Sequence, residues 1–114
     1  MALKVDQTGR VDLVVAQGAT FTATFTWKID GTPVDLSGYT GASKIKDTYG
    51  GSTLATFTVT LGGAAGTITL TLSATTTGGL SAPATGVWDV ELTSGSTVRR
   101  LVGGTVTITP EVTA

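Results

Sequence analysis

The chain has 114 residues, only 13% of them charged, a net charge of −1, and neither histidine nor cysteine. The absence of cysteine excludes disulfides and thiolate metal sites; the absence of histidine removes the usual neutral-pH base, the usual zinc ligand and the Ser/His and Cys/His nucleophile systems. Scattered charges of both signs give no electrostatic case for nucleic acid or an anionic membrane.

No apolar run is long enough for a signal peptide or a bilayer span, and with no asparagine there is no N-glycosylation acceptor. The expectation is a protein made in a cytosol. Mean hydropathy is +0.31, unusual beside so little charge, because an average soluble domain carries about 25% charged residues. Threonine, about a fifth of the residues, can solvate a β protein. The sharper reading is that much of the outer surface is covered in an assembly.

Residues 1–10 read as a polar leader, 11–109 as one β-sandwich domain and 110–114 as a short tail suited to fraying or to docking on a neighbour. Helical periodicity is absent and period-two alternation recurs. Residues 11–16 form a first short strand, broken at Gln17-Gly18. Residues 19–29 form the cleanest alternating run: Phe21, Ala23, Phe25, Trp27 and Ile29 face one way, and Thr20, Thr22, Thr24, Thr26 and Lys28 the other. This reads as a central strand.

Asp30-Gly31-Thr32-Pro33 is a turn by composition. A short crossing segment with Val34 and Leu36 follows. Residues 39–47 are a third strand, in which Lys44 and Lys46 flank Ile45 and read as a solvated edge that discourages strand addition. Residues 54–61 are a fourth, with Ala55, Phe57, Val59 and Leu61 inward. Residues 67–72 are a fifth, with Ile68, Leu70 and Leu72 inward. In the least strand-like stretch, 73–84, Ser73 is placed to cap a single helical or 3₁₀ turn and Leu80 to plug the end of the sandwich.

The chain closes with a hairpin, residues 86–93 and 97–109 about a turn at 94–96. Trp88, Val90 and Leu92 share one face, Asp89 and Glu91 the other. Counting phase across that turn predicts two irregularities in the last strand. One is a bulge that sets Arg99 and Arg100 both opposite Glu91; the other is a slip at Gly103-Gly104 that brings Val106 and Ile108 back to the core face. A strand bent in this way can serve both sheets. About seven short strands with turns every 8–12 residues indicate an all-β antiparallel sandwich.

Candidate chemistry is sparse. Asp89 and Glu91 have a spacing open to glycosidase carboxylates, but a solvated strand face paired with arginines accounts for them. Arg99 and Arg100 suit structural pairing, an intersubunit contact or a small-anion clamp. Trp27, Trp88, Phe21, Phe25 and Phe57 point inward as core, so Tyr39 and Tyr49 are the better exposed contacts. The glycine-rich stretches open no helix and are followed by no Lys-Ser/Thr, which rejects a phosphate-cradling loop. Single dispersed aspartates lack calcium-loop spacing. Interface candidates are therefore Glu91, Arg99, Arg100, Tyr39 and Tyr49; catalytic, cofactor-binding and metal-ligating residues are none.

Four stretches in order, Val11-Asp-Leu-Val-Val-Ala-Gln-Gly-Ala-Thr-Phe21, Asp30-Gly-Thr-Pro-Val-Asp-Leu-Ser-Gly-Tyr39, Gly86-Val-Trp-Asp-Val-Glu-Leu92 and Val98-Arg-Arg-Leu-Val-Gly-Gly-Thr-Val-Thr-Ile-Thr-Pro110, resemble small immunoglobulin-like β-sandwich virion proteins of tailed bacteriophages. The types meant are collar, fibre-attachment and baseplate-upper-protein N-terminal domains. The resemblance spans residues 10–113 and rests on turn and strand signatures. It implies a non-enzymatic component present in many copies at tail, collar or baseplate, with other virion proteins or further copies of itself in a ring or shell as partners, and with neither nucleic acid nor membrane. A capsid decoration protein is the nearest alternative. A carbohydrate-binding or adhesin-like sandwich is a further one, which requires exposed aromatics and loses ground if Trp27 and Trp88 are core.

Overall fold

In the computed structural model the described residues are 2–5 and 9–111, with side chains from residue 10 onward. Part of the leader and the expectation of docking or fraying for 112–114 lie outside them.

Alternation of small or β-branched polar residues with large apolar ones makes the chain pair as half-buried strands, and two sheets stack with their apolar sides together. The segments are β1 (Ala2–Val5), β2 (Gly9–Arg10), β3 (Leu13–Ala16), β4 (Phe21–Ile29), β5 (Thr32–Pro33), β6 (Thr40–Lys46), β7 (Thr53–Thr56), β8 (Thr58–Leu61), β9 (Thr67–Leu72), β10 (Ala84–Ser94) and β11 (Thr97–Thr109). One sheet runs β1-β4-β9-β8, with β5 paired to the end of β4. The other runs β2-β11-β10-β6-β7, with β3 also on β11. The fold is the expected all-β, immunoglobulin-like sandwich.

The count among the described residues exceeds seven for three reasons, the simplest being β5, a two-residue strand that pairs back on the end of β4 where only a turn is expected. The leader is not a mere leader: Ala2–Val5 adds to β4 in the parallel sense, and Gly9–Arg10 adds to β11. The single strand expected over residues 54–61 breaks at Phe57, whose N–H donates to the Ser43 carbonyl at 2.9 Å. β7 on one side of this break pairs with β6, and β8 on the other side pairs with β9. This segment crosses between the sheets, which β11 does not.

The core lies between the sheets. Phe25, Ile45, Leu70, Val90, Leu92 and Val106 are fully buried, each contributing roughly 1.5–3 kcal/mol of apolar burial. Trp88 stacks on Phe25 with ring centres 5.7 Å apart and meets Phe57 edge-on at 6.4 Å. β4 is central, between β1 and β9, as its pattern indicates. Ile29 is the exception on its inward face, exposed because it stands at the strand end beside the turn. In that turn Asp30 and Gly31 both hold positive φ (51° and 79°), the geometry that joins two strands through two residues.

The Ser73 cap is present: its hydroxyl accepts the Thr76 N–H at 3.2 Å ahead of a short helix, α1 (Ala74–Gly78). Leu80 is buried behind it. Inside α1, the buried Thr77 hydroxyl donates to the Ala19 carbonyl at 2.7 Å, holding the helix against the start of β4. Gln17 works beside it, its amide donating to the Leu80 carbonyl at 2.8 Å while its side-chain oxygen accepts the Glu111 N–H at 3.0 Å.

Candidate functional site

The hairpin corrects the expected phase count. Ser94 pairs with Thr97, so the loop is only Gly95-Ser96, with Gly95 at φ +60 as in a type II′ turn. That tighter turn absorbs one of the two slips. The remaining shift lies between Val90 and Glu91: Glu91 pairs with Arg100 and Val90 with Val102, which leaves Leu101 as the additional residue. Leu101 and Val102 are both buried.

Pairing then runs without interruption through Gly103 and Gly104, so no slip occurs there. These glycines answer a different need. A Cβ on Gly103 would sit 2.7 Å from the Trp88 carbonyl oxygen, and one on Gly104 would collide with the carbonyl of Val11. They let β10 and the segment before β3 press close to β11.

This register separates the two arginines. Arg100 stands opposite Glu91 on the outer face; Arg99 pairs with Leu92 and by alternation takes the other face, exposed near the hairpin tip. The expected double opposition to Glu91 is thus replaced by one cross-strand pair.

β6 is not an edge. It lies between β10 and β7, with Asp89 in register with Lys44 and Val87 with Lys46. The outer face of this sheet therefore collects Lys44, Lys46, Asp89, Glu91 and Arg100 around a groove of about 470 Å3. Tyr49, 77% exposed, stands at its rim. Its loop is held by the Asp47 carboxylate, which accepts the N–H groups of Thr48 and Ser52 at 2.7 and 2.9 Å. A second hollow continues along β11 past Gly103 to Arg10. Arg10 forms an ion pair with Asp12 at 3.4 Å. The Asp12 carboxyl is held below the ordinary carboxylate range, first by the Thr105 backbone N–H, then by a further hydrogen bond from Thr105 and the charge of Arg10.

Of the residues singled out from the sequence, Glu91, Arg100 and Tyr49 come together at this groove. Arg99 does not line it. Tyr39, half-buried, packs edge-on against Trp27 with ring centres 5.9 Å apart. Lys44, Lys46 and Asp89 belong to the groove and were not among the interface candidates. Alternation already put each lysine and each carboxylate on one face of its own strand; what no local signal carries is that β6 lies beside β10.

Chemically, the groove offers cations and anions side by side on a rigid sheet, an arrangement that suits a charge-complementary protein surface. Among the described residues, no group of three or more potential ligands is placed to hold a metal ion. Trp27 and Trp88 are buried in the core, so neither supplies the exposed platform that a sugar-binding sandwich requires. Among the described residues, no helix is long and apolar enough to cross a membrane.

No protein-family model and no curated protein matches the chain. Solved structures do. The N-terminal domain of phage TP901-1 ORF48 superposes with a TM-score of 0.54 at 11% identity, over 96% of this chain and 99% of that one. A chicken TCR structure superposes with the same TM-score at 9% identity, over 96% of this chain and 56% of that one. The shared feature is the immunoglobulin-like sandwich.

Proposed function

We propose that the chain is a non-enzymatic structural protein of a tailed-phage virion, present in many copies at the tail, collar or baseplate, where it docks fibres or neighbouring subunits. The observation that carries this reading is the near end-to-end match in fold to the N-terminal domain of phage TP901-1 ORF48, 96% of one chain on 99% of the other. Composition supports it. A chain with 13% charged residues and neither histidine nor cysteine lacks the groups on which most hydrolytic and redox sites depend, and its scarcity of charge suits a protein whose faces are covered by neighbours. Glu91, Arg100 and Tyr49, with Lys44 and Asp89 beside them, form a rigid charged patch for such a neighbour.

Immunogold electron microscopy with an antibody raised against this chain, on particles of the phage that encodes it, tests the proposal. Label confined to tail, collar or baseplate supports it. Label over the head surface replaces it with capsid decoration, and particles without label or the corresponding peptides in their mass spectra overturn it.

A further inference from the structure

Register arranges the charges of the groove as two stripes. On the outer face, Val87 stands in register with Lys46, Asp89 with Lys44 and Glu91 with Ala42. The lysines therefore line β6 and the carboxylates line β10, about 4.8 Å apart, with the positive stripe one step ahead of the negative one. Lys44 and Glu91 are exposed, Lys46 and Asp89 half-buried. Among the described residues, no ion pair joins these lysines to these carboxylates. Both stripes are left to a partner.

We propose that this face docks the same face of a second copy, turned about a two-fold axis that runs along the strands between β6 and β10. The inference rests on reading the groove as a docking surface, not on where in a virion the chain sits. A two-fold contact requires a surface to be complementary to itself. This rotation exchanges the stripes, so Lys44 of each copy faces Asp89 of the other. Lys46 comes over Val87 and Glu91 over Ala42, uncharged side chains that leave room for longer ones. β11, with Arg100, comes over β7, which has no ionisable residue. An axis across the strands would instead lay each stripe on its own sign. Charge thus selects both the partner and its orientation. Any other partner has to carry two rigid counter-stripes at the spacing of neighbouring strands, which this face supplies by symmetry.

The overlap takes in β7, β6, β10 and β11. Four strands at about 4.8 Å and seven residues at about 3.3 Å span roughly 19 by 23 Å. Two such areas bury roughly 900 Å2, and the loop with Tyr49 adds to them, the size of a weak, transient contact. It closes at high concentration, or where a particle holds copies side by side.

Sedimentation in about 50 mM salt, from about 10 μM to about 1 mM protein, spans the range of such a contact. The wild-type mass is expected to double over that range and to fall back in about 0.5 M salt. Lys44→Glu and Asp89→Lys are each expected to stay monomeric alone, because each sets like charges face to face. Their equimolar mixture is expected to dimerise, because the carboxylates of one variant then meet the lysines of the other. A wild type monomeric at the upper limit, a folded variant that dimerises alone like wild type, or a mixture of folded variants that stays monomeric overturns the proposal. Should either variant fail to fold, cross-linking decides, since the chain has no cysteine of its own. With a short bis-maleimide, Ala42→Cys is expected to give dimer and Thr60→Cys on the other sheet is not; equal yields, or the reverse, overturn it. The labelling experiment decides the virion reading separately, whichever way these measurements fall.

Discussion

The indole N–H of Trp88 donates to the carbonyl oxygen of Val11 across 2.8 Å, joining residues 77 apart in the chain. The bond ties the middle of β10 to the segment that enters β3, over the backbone of Gly104. It reinforces a stretch that is also held to β11 by the Val11 N–H on the Gly103 carbonyl and by Leu13 and Val15 in the core. Trp88→Phe keeps the stack on Phe25 and removes the donor, leaving the Val11 carbonyl without that partner. The expected loss is about 1–2 kcal/mol in urea unfolding, with an unchanged m-value. A variant as stable as wild type would show the bond to be dispensable.

Gly104 and Gly38 separate close approach from mere flexibility. Gly104→Ala pushes a methyl into the Val11 carbonyl and against Asp12, whereas Gly38 has open space around it. The first is expected to cost about 1–3 kcal/mol through overpacking. The second is expected to be neutral or slightly stabilising, by at most about 1 kcal/mol, through a less free unfolded chain. Thermal melts of the two variants side by side check the contrast.

Thr77→Val is nearly isosteric but strips the buried hydroxyl that the Ala19 carbonyl accepts. A loss of about 1–3 kcal/mol is expected, as for a buried acceptor left without its bond. Faster amide exchange at the start of β4 and in α1 should accompany it. Unchanged exchange there would mean that α1 is held without this bond, by Leu80 packing and the Gln17–Leu80 hydrogen bond.

Stability should fall in acid partly through Asp12 and Asp35. Both carboxyls are held below their ordinary value of 3.8, Asp12 mainly by the Thr105 backbone N–H and Asp35 mainly by the Ser37 hydroxyl. A depressed folded pKa contributes stability above the unfolded value, and that contribution is lost as pH falls through the folded one. Urea midpoints measured from pH 6 to pH 2 should therefore decline below about pH 4. The decline should be shallower in Asp12→Asn and in Asp35→Asn. Superimposable profiles for variant and wild type would remove these groups from the account.

Glu91 and Arg100 face each other on exposed strand positions, so their pairing should contribute little to folding. Glu91→Ala and Arg100→Ala are each expected to shift stability by less than about 1 kcal/mol. If the groove docks a neighbour, both should nevertheless reduce incorporation into particles, measured by quantitative mass spectrometry of purified virions.

Local chemistry was readable residue by residue. Phe25, Trp27, Ile68 and Leu70 show their inward face through alternation, because side chains in a strand must point to opposite sides of the sheet. Asp30-Gly31 announces its turn through tolerance of positive φ, and Ser73 announces α1 because its hydroxyl can replace a missing helical partner. The composition also removed whole classes of catalysis.

Strand neighbours were decided only by the tertiary structure. Backbone N–H and C=O groups pair alike whatever side chains they carry, so alternation reveals the face of a strand but not the strand beside it. That Lys44 lies next to Asp89, that residues 53–61 change sheets at Phe57, and that one bulge at Leu101 suffices all depend on how two sheets close around Trp88. The roles of Gly103 and Gly104 depend on it too: in the sequence they look like a place for the strand to slip, and in the folded chain they are where the Trp88 and Val11 carbonyls come too close for a side chain.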